Sequence, residues 1–114
     1  MKIKNLAQLK KALTGGAKFY IQNHWKEDNI GQTRTVNIVQ SNGIYTIIED
    51  DDKHPISNAN QGKGSWLDWG KASDWEFVDD ACGVTHCILK NHKAQRPEDT
   101  LVMELVVLDN EEVA

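Results

Sequence analysis

Proline and cysteine are both scarce in this chain, with two of each in 114 residues. So few prolines, and no low-complexity tract, argue against long disordered stretches. A basic excess is missing too. Thirteen Lys and Arg stand against 17 Asp and Glu, a net charge of −4, which is not the footprint of a duplex DNA binder. No apolar run reaches the roughly 20 residues of a membrane-spanning helix. Met1-Lys2-Ile3-Lys4-Asn5 has no apolar stretch after its positive charges, so no signal peptide is expected. The chain is then expected to stay in the cell that makes it, where thiols are reduced. Several motifs are also lacking. Gly62-Lys63-Gly64-Ser65 does not have the spacing of a phosphate-binding P-loop, and no helix pattern follows it. Glu49-Asp50-Asp51-Asp52 lacks the alternating ligands, central glycine and distal glutamate of an EF-hand.

What is present is concentrated. Both cysteines and two of the four histidines fall in Cys82-Gly83-Val84-Thr85-His86-Cys87-Ile88-Leu89-Lys90-Asn91-His92. Thiolate and imidazole are the donors zinc prefers, and a closed structural site needs four of them. Cys82, His86, Cys87 and His92 therefore form a candidate structural zinc site. One difficulty is visible at once. Neighbours on a strand point to opposite faces, so His86 and Cys87 share an ion only if the strand bulges or starts late. His24 is a substitute donor for His86. The competing reading is two buried cysteines acting as small hydrophobes beside surface histidines. A disulfide needs the two Cα atoms within about 7 Å; a turn at Gly83 permits that, but nothing suggests secretion.

The length predicts a single domain over 1–114, large enough for a core but one that gains from a staple. Asn5 is a good N-cap, Leu6, Leu9 and Leu13 recur at helical spacing, and Gly15-Gly16 stops the run, so a helix is predicted from Asn5 to about Leu13. The rest reads as strands: 18–23, 33–40, 44–48, 65–69, 74–78, 84–90 and 101–108. Asn42-Gly43 is the strongest hairpin signal, and Asp50 to Gly64 is predicted to be a long polar loop. The expected fold is α+β: an N-terminal helix packed on a small, strongly bent antiparallel sheet or SH3-like barrel of six or seven short strands.

Three of the four tryptophans, Trp66, Trp69 and Trp75, lie within ten residues. Trp66 and Trp69 have opposite parity on a strand, so one is expected to face the core and the other the surface. Exposed indoles serve interfaces well, pairing a large apolar area with one donor; all three as packing residues is the plainer alternative. Glu49, Asp50, Asp51 and Asp52 read either as a solvated loop or as an acidic surface for a basic partner. Nucleophilic catalysis by Cys87 with His86 is poorly served by neighbours that point apart.

The block Gly31-Gln32-Thr33-Arg34-Thr35-Val36-Asn37-Ile38-Val39-Gln40-Ser41-Asn42-Gly43-Ile44-Tyr45-Thr46, the stretch from Asn60 to Phe77 and the opening Met1-Lys2-Ile3-Lys4-Asn5-Leu6 resemble small proteins encoded by phages and mobile elements of Gram-positive bacteria. The chain resembles a zinc-containing anti-CRISPR protein of the kind that inhibits Cas9 of type II-A systems. That resemblance implies a stoichiometric inhibitor without a catalytic centre, working in the bacterial cytoplasm, and carries over no binding residue. Charge and the indoles make Glu49, Asp50, Asp51, Asp52, Trp66 and Trp69 the expected partner-binding residues, the cysteine-histidine window makes zinc the expected structural cofactor, and the resemblance makes Cas9 or another large basic nucleic-acid-handling protein the expected partner. The alternative is a phage accessory module that binds single-stranded nucleic acid through an aromatic barrel face.

Overall fold

The computed structural model describes residues 2–53, 62–91 and 100–108. It is an α+β fold of one helix and a seven-stranded antiparallel sheet. Helix α1 spans Leu6–Thr14. The side chain of Asn5 caps it by accepting from the Gln8 amide at 2.9 Å, and Gln8 Oε1 accepts from the Lys4 amide at 2.8 Å, so two amides at the start of the helix are satisfied locally. Leu6, Leu9 and Leu13 form its buried stripe.

The strands are β1 (Phe19–His24), β2 (Gln32–Gln40), β3 (Gly43–Asp51), β4 (Gly64–Asp68), β5 (Trp75–Asp79), β6 (Thr85–Lys90) and β7 (Leu101–Val107). Their order across the sheet is β4-β3-β2-β1-β7-β6-β5. Alternation sends Phe19 and Ile21, Ile44, Cys87 and Leu89, and Met103, Leu105 and Val107 inward onto the leucines of α1. Ile3, just before the helix, joins them, with its amide held by Thr85 Oγ1 at 2.9 Å.

The order contains a constraint. β4 and β5 follow one another in sequence but occupy opposite edges of the sheet. The seven Cα steps from Asp68 to Trp75 reach at most about 25 Å, whereas six spacings in a flat sheet cover about 29 Å. The link also spends residues 72–74 in a turn of 3-10 helix, so the sheet must curl. Across the gap, Trp75 Nε1 donates to the Trp69 carbonyl at 2.7 Å, both groups buried. The ammonium of Lys10 on α1 sits 5.2 Å above the Trp69 ring. The sheet is therefore strongly bent but not the closed SH3-like barrel that the sequence also allowed. β4 and β5 do not pair, because the linker closes the gap with side chains, and among the described residues both edge strands have no ladder partner on one side.

A second difference concerns β3, which runs on to Asp51. Glu49 to Asp51 belong to a strand rather than to the loop predicted from Asp50. The reason is that β2 begins at Gln32, whose register partner is Asp51, with Thr33 opposite Asp50. Among the described residues no helix is long and apolar enough to cross a membrane.

Candidate functional site

One end of the curled interior is polar. β1 pairs with β2 only through Phe19 and Tyr20, then follows β7 through a register shift between Ile21 and Asn23. Residues 25–31 fold back into the opening, and the Gly31 amide returns to the Ile21 carbonyl at 2.9 Å. The inward positions of β2 beside this opening are Gln32 and Arg34, both buried, with Arg34 only 2% exposed. Arg34 Nε and Nη2 both donate to Gln32 Oε1, at 3.0 and 2.6 Å. Its Nη1 donates to Thr46 Oγ1 at 3.1 Å and to Ser65 Oγ. Every one of these acceptors is neutral. The nearest negative charge on the inner side belongs to Asp51, reached through Gln32, whose Nε2 donates to Asp51 Oδ2 at 3.2 Å. Burial lowers the pKa of Arg34, against the opposing influence of Asp51 and Tyr45. A guanidinium nonetheless keeps its charge in a protein, so a cation lies inside this end of the fold.

His24, at the end of β1, is buried next to it. Its Nδ1 accepts from the Lys26 amide at 2.9 Å. Desolvation first, and then the charges of Arg34 and Lys26, push its pKa down to about 4. The imidazole is thus neutral at physiological pH, with its proton on Nε2. Its ring stacks on Trp25 at 5.8 Å between centroids. Trp25 is the most exposed large hydrophobic residue described, at 64%, and carries the Lys26 ammonium 4.9 Å from its ring.

Three adjoining cavities open here. The largest, about 690 Å³, is lined by Asn23, His24 and Trp25 with Leu101 and Val102. A second, about 240 Å³, lies between residues 24–26 and the edge strand β4, with Leu89 and Met103 as an apolar floor. The third, about 400 Å³, brings Lys26, Asn29, Arg34, Lys63 and Ser65 together. The paired positions of β4 fix which of its groups are spoken for. The Trp69 amide bonds the Asn42 carbonyl, and the Lys63 carbonyl accepts from Ile48, so alternation turns the backbone groups of Gly64, Trp66 and Asp68 toward the unpaired side.

No protein-family model, curated protein or solved structure matches this chain.

The expected metal donors do not converge. Cys87 is fully buried in the core, Cys82 is exposed in the turn before β6, and His86 is turned to the opposite face from Cys87. The two ring nitrogens of His86 are engaged, Nδ1 with Glu104 Oε2 at 2.6 Å and Nε2 with Asp80 Oδ2 at 3.0 Å. The ring separates the two carboxylates, so the three groups share no common centre. These hydrogen bonds, Glu104 first, raise the His86 pKa. Burial pushes the Cys87 thiol up to about 12, far from the thiolate that zinc or catalysis requires. Among the described residues no group of three or more His, Cys, Asp and Glu side chains is placed to hold a metal; His92 lies outside the described residues. The alternative donor His24 stands at the far end of β1, in the polar opening. Cys82, His86 and Cys87 thus meet at no common centre among the described residues.

The expected partner-binding residues are likewise divided. Asp51 points inward and is buried. Glu49 accepts from Thr35 Oγ1 at 2.7 Å, Asp52 accepts from the Tyr20 hydroxyl at 2.6 Å, and Asp50 is exposed. That hydrogen bond to Asp52 raises the Tyr20 pKa. Trp66 is 38% exposed and donates to Asp68 Oδ1 at 2.7 Å, whereas Trp69 is buried beneath Lys10. Trp75 is buried as well. Asp51 and Trp69 are thus interior residues, because the inward parity of their segments turns them away from solvent. Two residues went unnoticed in the sequence. Trp25 stands apart from the tryptophan cluster. Arg34 shares the inward parity of β2 with Val36, and a charged residue on that parity was the signal available.

Proposed function

We propose that this protein is a non-enzymatic anti-CRISPR protein that inhibits Cas9 by binding it directly, in the cytoplasm of a bacterial host, and so blocks target DNA loading or a conformational step. The observation that carries this reading is the outer surface of the polar end. Glu49, Asp50 and Asp52 stand there on β3 and just past it, and Asp52 is tied to the loop that carries Glu27 and Asp28 by its amide bond to the Gly31 carbonyl. Trp25 projects from the other end of the same loop. An acidic face steers association with a basic channel, and a solvent-facing indole supplies a compact apolar anchor. Target strands in Cas9-type effectors occupy such positively charged channels.

The absence of catalysis in this reading rests on two points. The Cys87 thiol is protonated and buried, and His86 faces away from it. The single-stranded nucleic-acid alternative is less well served, because Trp69 and Trp75 belong to the core and leave Trp66 alone on that face. Cys82, His86 and Cys87 do not converge among the described residues, and the proposed inhibition is argued from the outer surface without a metal. Metal analysis of chelator-free protein checks that separation: about one zinc per chain, lost in Cys82→Ser, would restore the structural ion and overturn the placement of these residues.

The test is cleavage of a matched DNA target by type II-A Cas9 with increasing amounts of this protein. Inhibition that saturates near one equivalent is expected. Reversing Glu49, Asp50 and Asp52 to Lys should slow association by about tenfold at low salt. Full cleavage in the presence of a large excess of the protein would sink the proposal.

A further inference from the structure

The cavity of about 400 Å³ behind the β1–β2 loop has a chemistry that the reading above does not use. A guanidinium has five N–H groups. Those of Arg34 make four hydrogen bonds, two of them to the single oxygen Gln32 Oε1. One N–H of Nη2 is left over, and the guanidinium hydrogen-bonds only neutral oxygens, with Asp51 reached through Gln32. A buried cation in that state is unfavourable unless a further partner compensates it. The cavity it lines is also lined by Lys26 and Lys63, by the amide-bearing Asn29 and by the hydroxyl of Ser65. Three cationic residues line one half-open cavity from three different segments: the loop, β2 and the approach to β4. Asp28 is the one carboxylate among the described lining residues, and Asp51 lies behind Gln32, so the described balance at the cavity is positive in a protein whose overall charge is −4.

We propose that this cavity binds a phosphate group, with Arg34 as the buried cation at its base and Lys26 and Lys63 at its mouth. Donors approaching from several directions suit a tetrahedral oxyanion better than the planar fork of a lone carboxylate. The leftover Nη2 proton gives the oxyanion a fixed point of attachment, and the lysines give it long-range attraction that salt screens. The same chemistry is offered by inorganic phosphate and by the terminal phosphate of a short nucleic-acid strand. The site is independent of the Cas9 reading, since it lies inside the opening rather than on the acidic outer face.

The experiment is a titration of the full chain, isotopically labelled, with inorganic phosphate at low ionic strength, followed through the Arg34 Nε–H and Ser65 amide resonances. Saturable shifts at both are expected, weakened about tenfold in the double variant Lys26→Gln/Lys63→Gln and unchanged in Lys71→Gln, whose lysine is outside the cavity. Because both changed lysines are surface residues, the double variant should stay folded, so its result does not depend on whether Arg34→Gln folds. A second titration uses a 5′-phosphorylated trinucleotide. Binding at least tenfold tighter than inorganic phosphate, on the same resonances, assigns the site to nucleic-acid ends; equal affinity assigns it to the free ion. Shifts that do not saturate, or that are the same in the lysine double variant, would overturn the site.

Discussion

Two tryptophans in this protein make the same hydrogen bond in opposite surroundings, and this offers an internal control. Trp75 Nε1 donates to the buried Trp69 carbonyl at 2.7 Å. Trp66 Nε1 donates to the exposed Asp68 carboxylate at the same distance. Replacing either indole by phenyl removes the same N–H. In Trp75→Phe the Trp69 carbonyl loses its partner inside the gap between the two sheet edges, where water does not replace it. A buried group left unsatisfied costs about 1–3 kcal/mol, and the smaller ring leaves a void costing about another 1 kcal/mol. The sum, about 2–4 kcal/mol, is a large share of the 5–15 kcal/mol typical of a domain this size. At about 4 °C per kcal/mol the midpoint of thermal unfolding should fall by about 8–16 °C. In Trp66→Phe water takes over the Asp68 oxygen, so the loss should stay near 0.5 kcal/mol, about 2 °C. Urea and thermal unfolding, followed by far-ultraviolet circular dichroism so that the loss of an indole does not alter the probe, measure both. Equal midpoints for the two variants would refute the reasoning, since they would mean that the linker does not hold the curled sheet together.

Other consequences follow from particular contacts. A Cβ at Gly64 would stand 2.0 Å from the Thr46 carbonyl oxygen, so Gly64→Ala should cost about 1–3 kcal/mol and loosen β4 from β3, seen as faster amide exchange at Thr46 and Ser65; unchanged exchange would contradict the close approach. His86 has a raised pKa in the fold, so its ion pairs with Glu104 and Asp80 stabilise fully below the unfolded value near 6.5 and are lost as pH rises through the raised folded value. The stability gap between the protein and His86→Gln, measured by urea midpoints, should therefore be wide at pH 6 and close at high pH; a gap that widens with pH would reverse the assignment. A thiol reagent should modify one cysteine per native chain, the exposed Cys82, and the second only after unfolding; rapid reaction of both in the native state would place Cys87 outside the core.

Much of the fold was legible because alternation and helical spacing are strong signals. Leu6, Leu9 and Leu13 marked the helix face, Phe19 and Ile21 the inner face of β1, and Asn42-Gly43 the hairpin of β2 and β3, whose turn falls one residue earlier, at Ser41 and Asn42. The strand order of the sheet was not legible. Nothing in the strand pattern says that β1 pairs with β7, or that β4 and β5 end at opposite edges, since pairing partners distant in sequence leave no local mark. The site was hidden for a related reason. Arg34 reads as an ordinary polar residue of an alternating strand until β3 and β4 bring Thr46 and Ser65 to it. The cysteine-histidine window shows the limit of spacing from the other side. Its spacing was suggestive, but the strand that carries it sends His86 and Cys87 to opposite faces.

The order β4-β3-β2-β1-β7-β6-β5 also bears on how the chain acquires its structure. β1 to β4 form one meander of neighbours, and β5 to β7 form another. Each is built from hairpins that close quickly. They are joined in the sheet by a single seam, β1 against β7, whose register partners Phe19 and Val107 lie near opposite ends of the described chain. Forming that seam carries the loop-closure entropy of nearly the whole molecule, so it should be the slow step of folding. The protein thus behaves as two half-sheets in kinetic terms, and a cut within residues 70–73 should leave fragments able to reassociate along β1 and β7.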